Sequence, residues 1–93
     1  MIKSFADKET QGLWDGKFSK KLPPEIQKKA QMKLGMLNNI KEIKELKVPP
    51  SNKLHSLDGD RKGQFSIAIN DQWRICFGFN NGVTFDVEIV DYH

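Results

Sequence analysis

From Gln64 onward the chain alternates apolar and polar residues in three runs, QFSIAIN, WRICFGF and VTFDVEIV, separated by Asp71-Gln72 and by Asn80-Asn81-Gly82. Alternation with period two marks strands that bury one face, and runs joined this tightly fold back on one another as an antiparallel meander. It puts Phe65, Ile67 and Ile69 on one face, followed by Trp73, Ile75, Phe77 and Phe79, and then by Val83, Phe85, Val87 and Ile89. Asn80-Asn81-Gly82 reads as a hairpin turn, because Asn and Gly tolerate the positive φ that tight hairpins need. The last strand runs into three polar, titratable side chains, Asp91, Tyr92 and His93.

A sheet with one apolar face needs a cover, and the preceding residues supply it. From Glu25, Ile26, Ala30, Leu34 (with Lys33) and Leu37 recur at helical spacing behind Pro23-Pro24, and proline suits a first helical turn. Met32 and Met36 widen this stripe, and Asn38-Asn39 breaks it. Ile40, Ile43 and Leu46 continue as a second short amphipathic helix that Pro49-Pro50 ends. Earlier, residues 1–5 read as a short strand, and Asp7 or Thr10 would cap a brief helix. Gly12 and Gly16 fit turns on either side of Leu13-Trp14, while Phe18 and Leu22 would anchor the basic stretch between them and the prolines. Residues 51–57 read as extended and 58–63 as a polar loop. The expected layout is β-α-α-β-β-β-β, an α+β fold with helices on one face of a small, mainly antiparallel sheet, in one domain spanning 1–93.

Composition narrows the function. No stretch approaches the roughly 20 apolar residues of a membrane span, so a soluble, cytoplasmic protein with no membrane contact is expected. The single cysteine, Cys76, excludes an intrachain disulfide and a cysteine-based zinc site. Two histidines and scattered acids lack metal-ligand spacing, and Gly59 and Gly63 lack the context of a phosphate-cradling loop. No metal and no cofactor is expected. The net charge of +3 is uneven: residues 1–62 carry fourteen Lys/Arg against eight Asp/Glu, and residues 63–93 one Arg against four acids. A basic half suits a polyanion, an acidic partner, or a solvated lysine face.

The other face of the meander should present Arg74, Cys76 and Gly78, with Thr84, Asp86, Glu88, Val90 and Tyr92. Arg74, the meander's one basic residue, either pairs with Glu88 or Asp86 or aims its planar fork at a phosphate. His55 alternates with apolar neighbours, a setting that suits a structural histidine as well as a proton carrier. Together, His55, Arg74, Asp91, Tyr92 and His93 combine groups that exchange protons near neutrality with a fixed cation and an aromatic ring. That set is a toolkit for metal-free RNA cleavage by attack of the 2′-hydroxyl on the adjacent phosphate.

Motifs along the chain sharpen this. Pro49-Pro50-Ser51-Asn52-Lys53-Leu54, Gly59-Asp60-Arg61-Lys62-Gly63-Gln64, Asn70-Asp71-Gln72-Trp73-Arg74-Ile75-Cys76-Phe77 and the closing Asp86-Val87-Glu88-Ile89-Val90-Asp91-Tyr92-His93 closely resemble the HigB toxins of the RelE/ParE superfamily. The resemblance spans essentially the whole chain. It implies a ribosome-dependent endoribonuclease that cuts mRNA in the ribosomal A site. It also implies a HigA-type helix-turn-helix antitoxin as partner, through which alone operator DNA would be bound. Carried over by position, His55, Arg74, Asp91, Tyr92 and His93 would be catalytic, and Lys53, Arg61 and Lys62 would contact the RNA backbone. Gyrase-poisoning toxins share the same fold, and a non-catalytic binding module built on the lysines of residues 17–33 is a third reading. Some family members carry Lys at the position of Asp58 and Arg at those of Ala68, Asn70 or Gly78. Their absence here implies weaker phosphate binding and a milder toxin.

Overall fold

The computed structural model describes residues 1–92. Two helices, α1 (Lys8–Trp14) and α2 (Pro24–Asn39), pack on one face of a four-stranded antiparallel sheet whose strands lie in chain order. The strands are β1 (His55–Ser56), β2 (Gln64–Ala68), β3 (Trp73–Asn80) and β4 (Val83–Asp91). The α+β architecture is as expected.

The core lies between helices and sheet. Ile26, Ala30, Leu34 and Leu37 of α2 meet Ile67, Ile75, Phe77, Val87 and Ile89, and all are buried. Full burial of each large aliphatic or aromatic side chain contributes about 1.5–3 kcal/mol. Phe65 and Phe77, opposite one another on β2 and β3, bring their rings to 6.1 Å. Met32 is exposed and plays no part in the stripe, and Phe18 is exposed too, which leaves Leu22 as the anchor of its stretch. Gly12 lies within α1 and not in a turn, whereas Gly16 follows the helix at φ +88°. Asp7 holds the N-cap position of α1 without a side-chain capping bond. Thr10 instead faces the sheet, its Oγ1 accepting the Ile89 N–H at 3.0 Å.

The hairpin between β3 and β4 follows the expected chemistry. Asn81 and Gly82 both take positive φ, 49° and 79°, the pattern of a two-residue turn matched to strand twist. The β2–β3 turn uses a side chain instead: Asn70 Oδ1 accepts the N–H groups of Gln72 and Trp73 at 2.8 and 2.7 Å.

Strand parity on β4 departs from simple alternation. The β3–β4 register shifts between Cys76, which faces Glu88, and Gly78, which faces Phe85, and Asp86 takes a φ of 52°. One extra residue on β4 forms a bulge and inverts the faces before it. Thr84 therefore points at the helices, fully buried, and donates to the Leu37 carbonyl at 3.2 Å. Phe85 crosses to the opposite face and covers Gly78. The expectations that Phe85 joins the core and Thr84 the open face both fail for this one reason.

The bulge also explains the N-terminal segment. In place of a continuous strand, it makes two parallel bridges to β4, Ile2 to Thr84 and Phe5 to Val87, one on each side of Asp86. Ser4 Oγ fills the gap by accepting the Asp86 N–H at 2.9 Å. The expected second helix is likewise shorter and tighter, a 3-10 turn over Ile43–Lys47. The Glu45 carboxylate caps it by accepting the N–H groups of Glu42 and Lys41, bonds that lower the Glu45 pKa.

A Cβ at Gly78 would sit 2.3 Å from the Phe85 ring. Gly78→Ala should cost about 1–3 kcal/mol in urea unfolding. In a Phe85→Ala background the same substitution should cost well under half as much. An equal cost in both backgrounds would show that the ring is not the obstacle.

Candidate active site

The open face of the sheet gathers most of the predicted site. His55 on β1 stands opposite Ser66, Ser66 opposite Cys76, and Cys76 opposite Glu88, which makes a row across all four strands. Two residues along β3, on the same face, lies Arg74, between Ala68 and Val90. Arg74 is nearly closed off, at 9% exposure. Its Nε donates to Ser66 Oγ at 3.0 Å and its Nη2 to the Lys53 carbonyl at 2.6 Å. The Tyr92 ring lies across it, centroid 5.4 Å from the guanidinium carbon, in cation–π contact. Tyr92 is held there by its own N–H, bonded to the Gln72 carbonyl at 2.6 Å.

The Lys53 carbonyl is fixed from behind. Lys53 ends a 3-10 turn (Pro50–Asn52) in the left-handed conformation, φ 46°. The fully buried Asn52 before it donates from Nδ2 to the Leu46 and Val48 carbonyls, at 3.1 and 3.4 Å, and accepts at Oδ1 from Lys33. Lys33 reaches inward from α2, and burial, reinforced by the nearby Lys29, lowers its pKa. A buried lysine, a buried asparagine and a strained backbone turn thus stand behind the arginine.

Beside Arg74 opens a cleft of about 500 Å³ lined by His55, Ser56, Leu57, Asp58, Asp60, Arg61 and Tyr92. Arg61 lies in ion-pair contact with Glu88, Nη2 to Oε1 at 3.0 Å, and donates from Nη1 to Gln64 Oε1 at 3.2 Å. The bond from Glu88 raises the Arg61 pKa further. The sequence left Arg74 a choice of Glu88 or Asp86 as partner, but Glu88 holds Arg61, and Asp86 is engaged with Ser4. Burial pushes the Cys76 thiol up, Glu88 adding to the effect against Arg61 and Arg74, so it behaves as a small apolar side chain.

The remaining predicted residues divide. Lys53 and Lys62 are exposed at the rim. Asp91 pairs with Trp73 and so shares the parity of Ile89, opposite to Arg74 and Val90, and its carboxylate accepts from Gln72 Nε2 at 3.1 Å. His93 lies outside the described residues. Sequence reasoning missed Ser66, Asn52, Lys33 and the Lys53 carbonyl as supports of Arg74. Only Lys33 gave a signal, a cation inside the apolar stripe of α2. Among the described residues no three His, Cys, Asp or Glu side chains gather into a group that could hold a metal, and no helix is long and apolar enough to cross a membrane.

A family model for RelE-like toxins of the type II toxin–antitoxin system HigB matches residues 3–93. The chain belongs to the HigB-like toxin family. Membership makes it a toxin of a type II toxin–antitoxin system, with an antitoxin as its partner. Over 93 residues, all of both chains, it is 36% identical to the endoribonuclease HigB of Proteus vulgaris. Over 84 residues, 89% of this chain and 88% of the relative, it is 32% identical to toxin HigB-1 of Vibrio cholerae.

The burial of Lys33 gives a pH signature for this toxin. Its folded pKa lies below 10.5, so between that lowered value and 10.5 the unfolded chain holds the extra proton and stability rises with pH. Wild type should therefore gain stability relative to Lys33→Met as pH rises through that window, read from urea midpoints at matched pH. A relative loss would show that the ammonium is not held in a desolvated place.

Proposed function

We propose that this HigB-like toxin is a metal-independent endoribonuclease that cuts mRNA in the ribosomal A site and so halts translation. The observation that carries the reading is Arg74, an obligate cation clamped at the floor of an open face with Tyr92 stacked on it and His55 across the cleft. Among the described residues its Nη1 and the remaining Nη2 hydrogen are not engaged, and in this reading they bind two oxygens of a scissile phosphate. The relative named as an endoribonuclease, similar over its whole length, supports the same assignment.

In this reading the 2′-hydroxyl attacks the adjacent phosphorus, the bond to the 5′-oxygen breaks, and a 2′,3′-cyclic phosphate and a 5′-hydroxyl result. Arg74 neutralises charge building on the non-bridging oxygens. His55, His93 and Asp91 provide proton transfer, one taking the 2′-hydroxyl proton and another supplying the leaving oxygen. Tyr92 leaves the guanidinium to stack on a base, an exchange of one π contact for another. Lys53, Arg61 and Lys62 hold flanking phosphates. A HigA-type helix-turn-helix antitoxin neutralises the toxin and links it to operator DNA. The ribosome supplies the positioning that a sparsely basic face lacks.

Primer-extension mapping of transcripts on purified ribosomes tests this. Wild type should cut ribosome-bound mRNA and leave naked mRNA nearly untouched. Arg74→Ala should lower the rate by roughly 100-fold or more. Arg74→Lys should restore little of it, since an ammonium cannot span Ser66 and the Lys53 carbonyl while keeping a fork for phosphate. Growth inhibition that survives the combined Tyr92→Ala and His93→Ala change would refute the terminal part of the site. Inhibition of gyrase supercoiling without transcript cleavage would refute the ribonuclease.

A further inference from the structure

We infer that Arg61 is a phosphate subsite that Glu88 occupies in the free protein, so that RNA must displace this carboxylate to bind there. The inference takes its ligand class from the ribonuclease reading.

Arg61 stands in the cleft with His55 and Tyr92, its guanidinium against Glu88 Oε1 at 3.0 Å. A carboxylate and a phosphate present similar pairs of oxygens to that fork, so the two compete for the same donors. Both partners remain reachable, with side-chain exposures of 39% for Arg61 and 32% for Glu88. Ion pairs this open are weak and exchange readily. Gln64 Oε1, on Nη1, holds the guanidinium in place when the carboxylate leaves.

The surroundings make the competition matter. Asp58 and Asp60 line the same cleft as Arg61, and Glu88 adds a third carboxylate against its guanidinium. Arg74 is buried behind Tyr92 with two of its donors already engaged. The Glu88 backbone is held in β4 opposite Cys76, so its carboxylate stays within side-chain reach of Arg61. Once displaced, it stays beside the bound phosphate and repels it. The carboxylate therefore weakens RNA binding twice, by occupying the donors and by its charge.

A double-mutant cycle separates these effects. Wild type, Glu88→Gln, Arg61→Ala and the double variant are titrated with a short fluorescent 2′-O-methyl RNA, which has no nucleophilic hydroxyl to cleave, across a salt series. Glutamine is nearly isosteric and keeps an acceptor for Arg61, so the strand pairing is preserved. Glu88→Gln should tighten binding by roughly two- to fivefold, the range of an exposed ion pair. It should also steepen the slope of log affinity against log salt by about 0.7, the increment of one added single-strand phosphate contact. In the Arg61→Ala background both gains should largely vanish. Equal gains in the two backgrounds would overturn the inference, because plain charge repulsion does not need Arg61. Unchanged affinity in Glu88→Gln, or no binding by any variant at low salt, would overturn it as well. Cleavage on ribosomes is scored separately. A wild type that cuts nothing there removes the ribonuclease reading, while the cycle still decides whether Glu88 and an RNA phosphate compete.

Discussion

A guanidinium keeps its charge at any accessible pH, so a fold that encloses one has to surround it with acceptors. Arg74, at 9% exposure, imposes that condition here, and three other parts of the chain answer it. Strand β2 brings Ser66, the segment after Pro50 brings the Lys53 carbonyl, the chain after β4 brings the Tyr92 ring, and β3 presents the arginine itself. The carbonyl is aimed by a left-handed Lys53, a conformation that costs a non-glycine residue about 1–2 kcal/mol. The Asn52 bonds to the Leu46 and Val48 carbonyls and to Lys33 hold the turn against that cost. The support of the arginine thus runs from the open face through Asn52 to Lys33 on α2.

The second constraint is the bulge at Asp86. By turning Phe85 outward it splits the open face into a polar end around Arg74 and an apolar end where the ring lies on Gly78. By turning Thr84 inward it gives the Leu37 carbonyl, near the end of α2, a donor. The N-terminal segment follows the same break, with its two bridges on either side and Ser4 between them. One extra residue sets the course of three elements.

Elements with a periodic signal were legible in the sequence: the long helix, the three main strands and the hairpin at Asn81-Gly82, where local propensity and burial agree. What escaped had no periodic signal. An aspartate tolerates positive φ, yet VTFDVEIV reads as unbroken alternation, and only the partner strand reveals the extra residue. Met32 counted as apolar from its type, but the sheet covers only one flank of α2. Of the site, residue types and strand faces pointed to Arg74, His55 and Tyr92, which the fold does bring to one face. Asp91 alternates with Val90 and pairs with Trp73, so strand register sets it apart from Arg74 although the two are grouped by chemistry. The supports of Arg74 are long-range hydrogen bonds, such as Lys33 to Asn52, which no spacing rule encodes.

The low charge of the open face now acquires a structural cause. The family resemblance implies cations at four positions that here hold Asp58, Ala68, Asn70 and Gly78. Three of these are fixed by their surroundings. Gly78 lies under the Phe85 ring, with no room even for a Cβ. Ala68, 5% exposed, is the direct neighbour of Arg74 across the strands, where a long side chain would enter occupied space. Asn70 uses its side-chain oxygen to close the β2–β3 turn, a role arginine has no acceptor to fill. Asp58 is exposed and makes no side-chain capping bond. At three of the four positions the bulge, the buried arginine and the turn have therefore claimed the place a cation would need, and a single substitution there cannot supply one. Under the proposed ribonuclease function, a face built this way would bind RNA phosphate weakly by itself, which would put the burden of affinity on whatever holds the RNA in position.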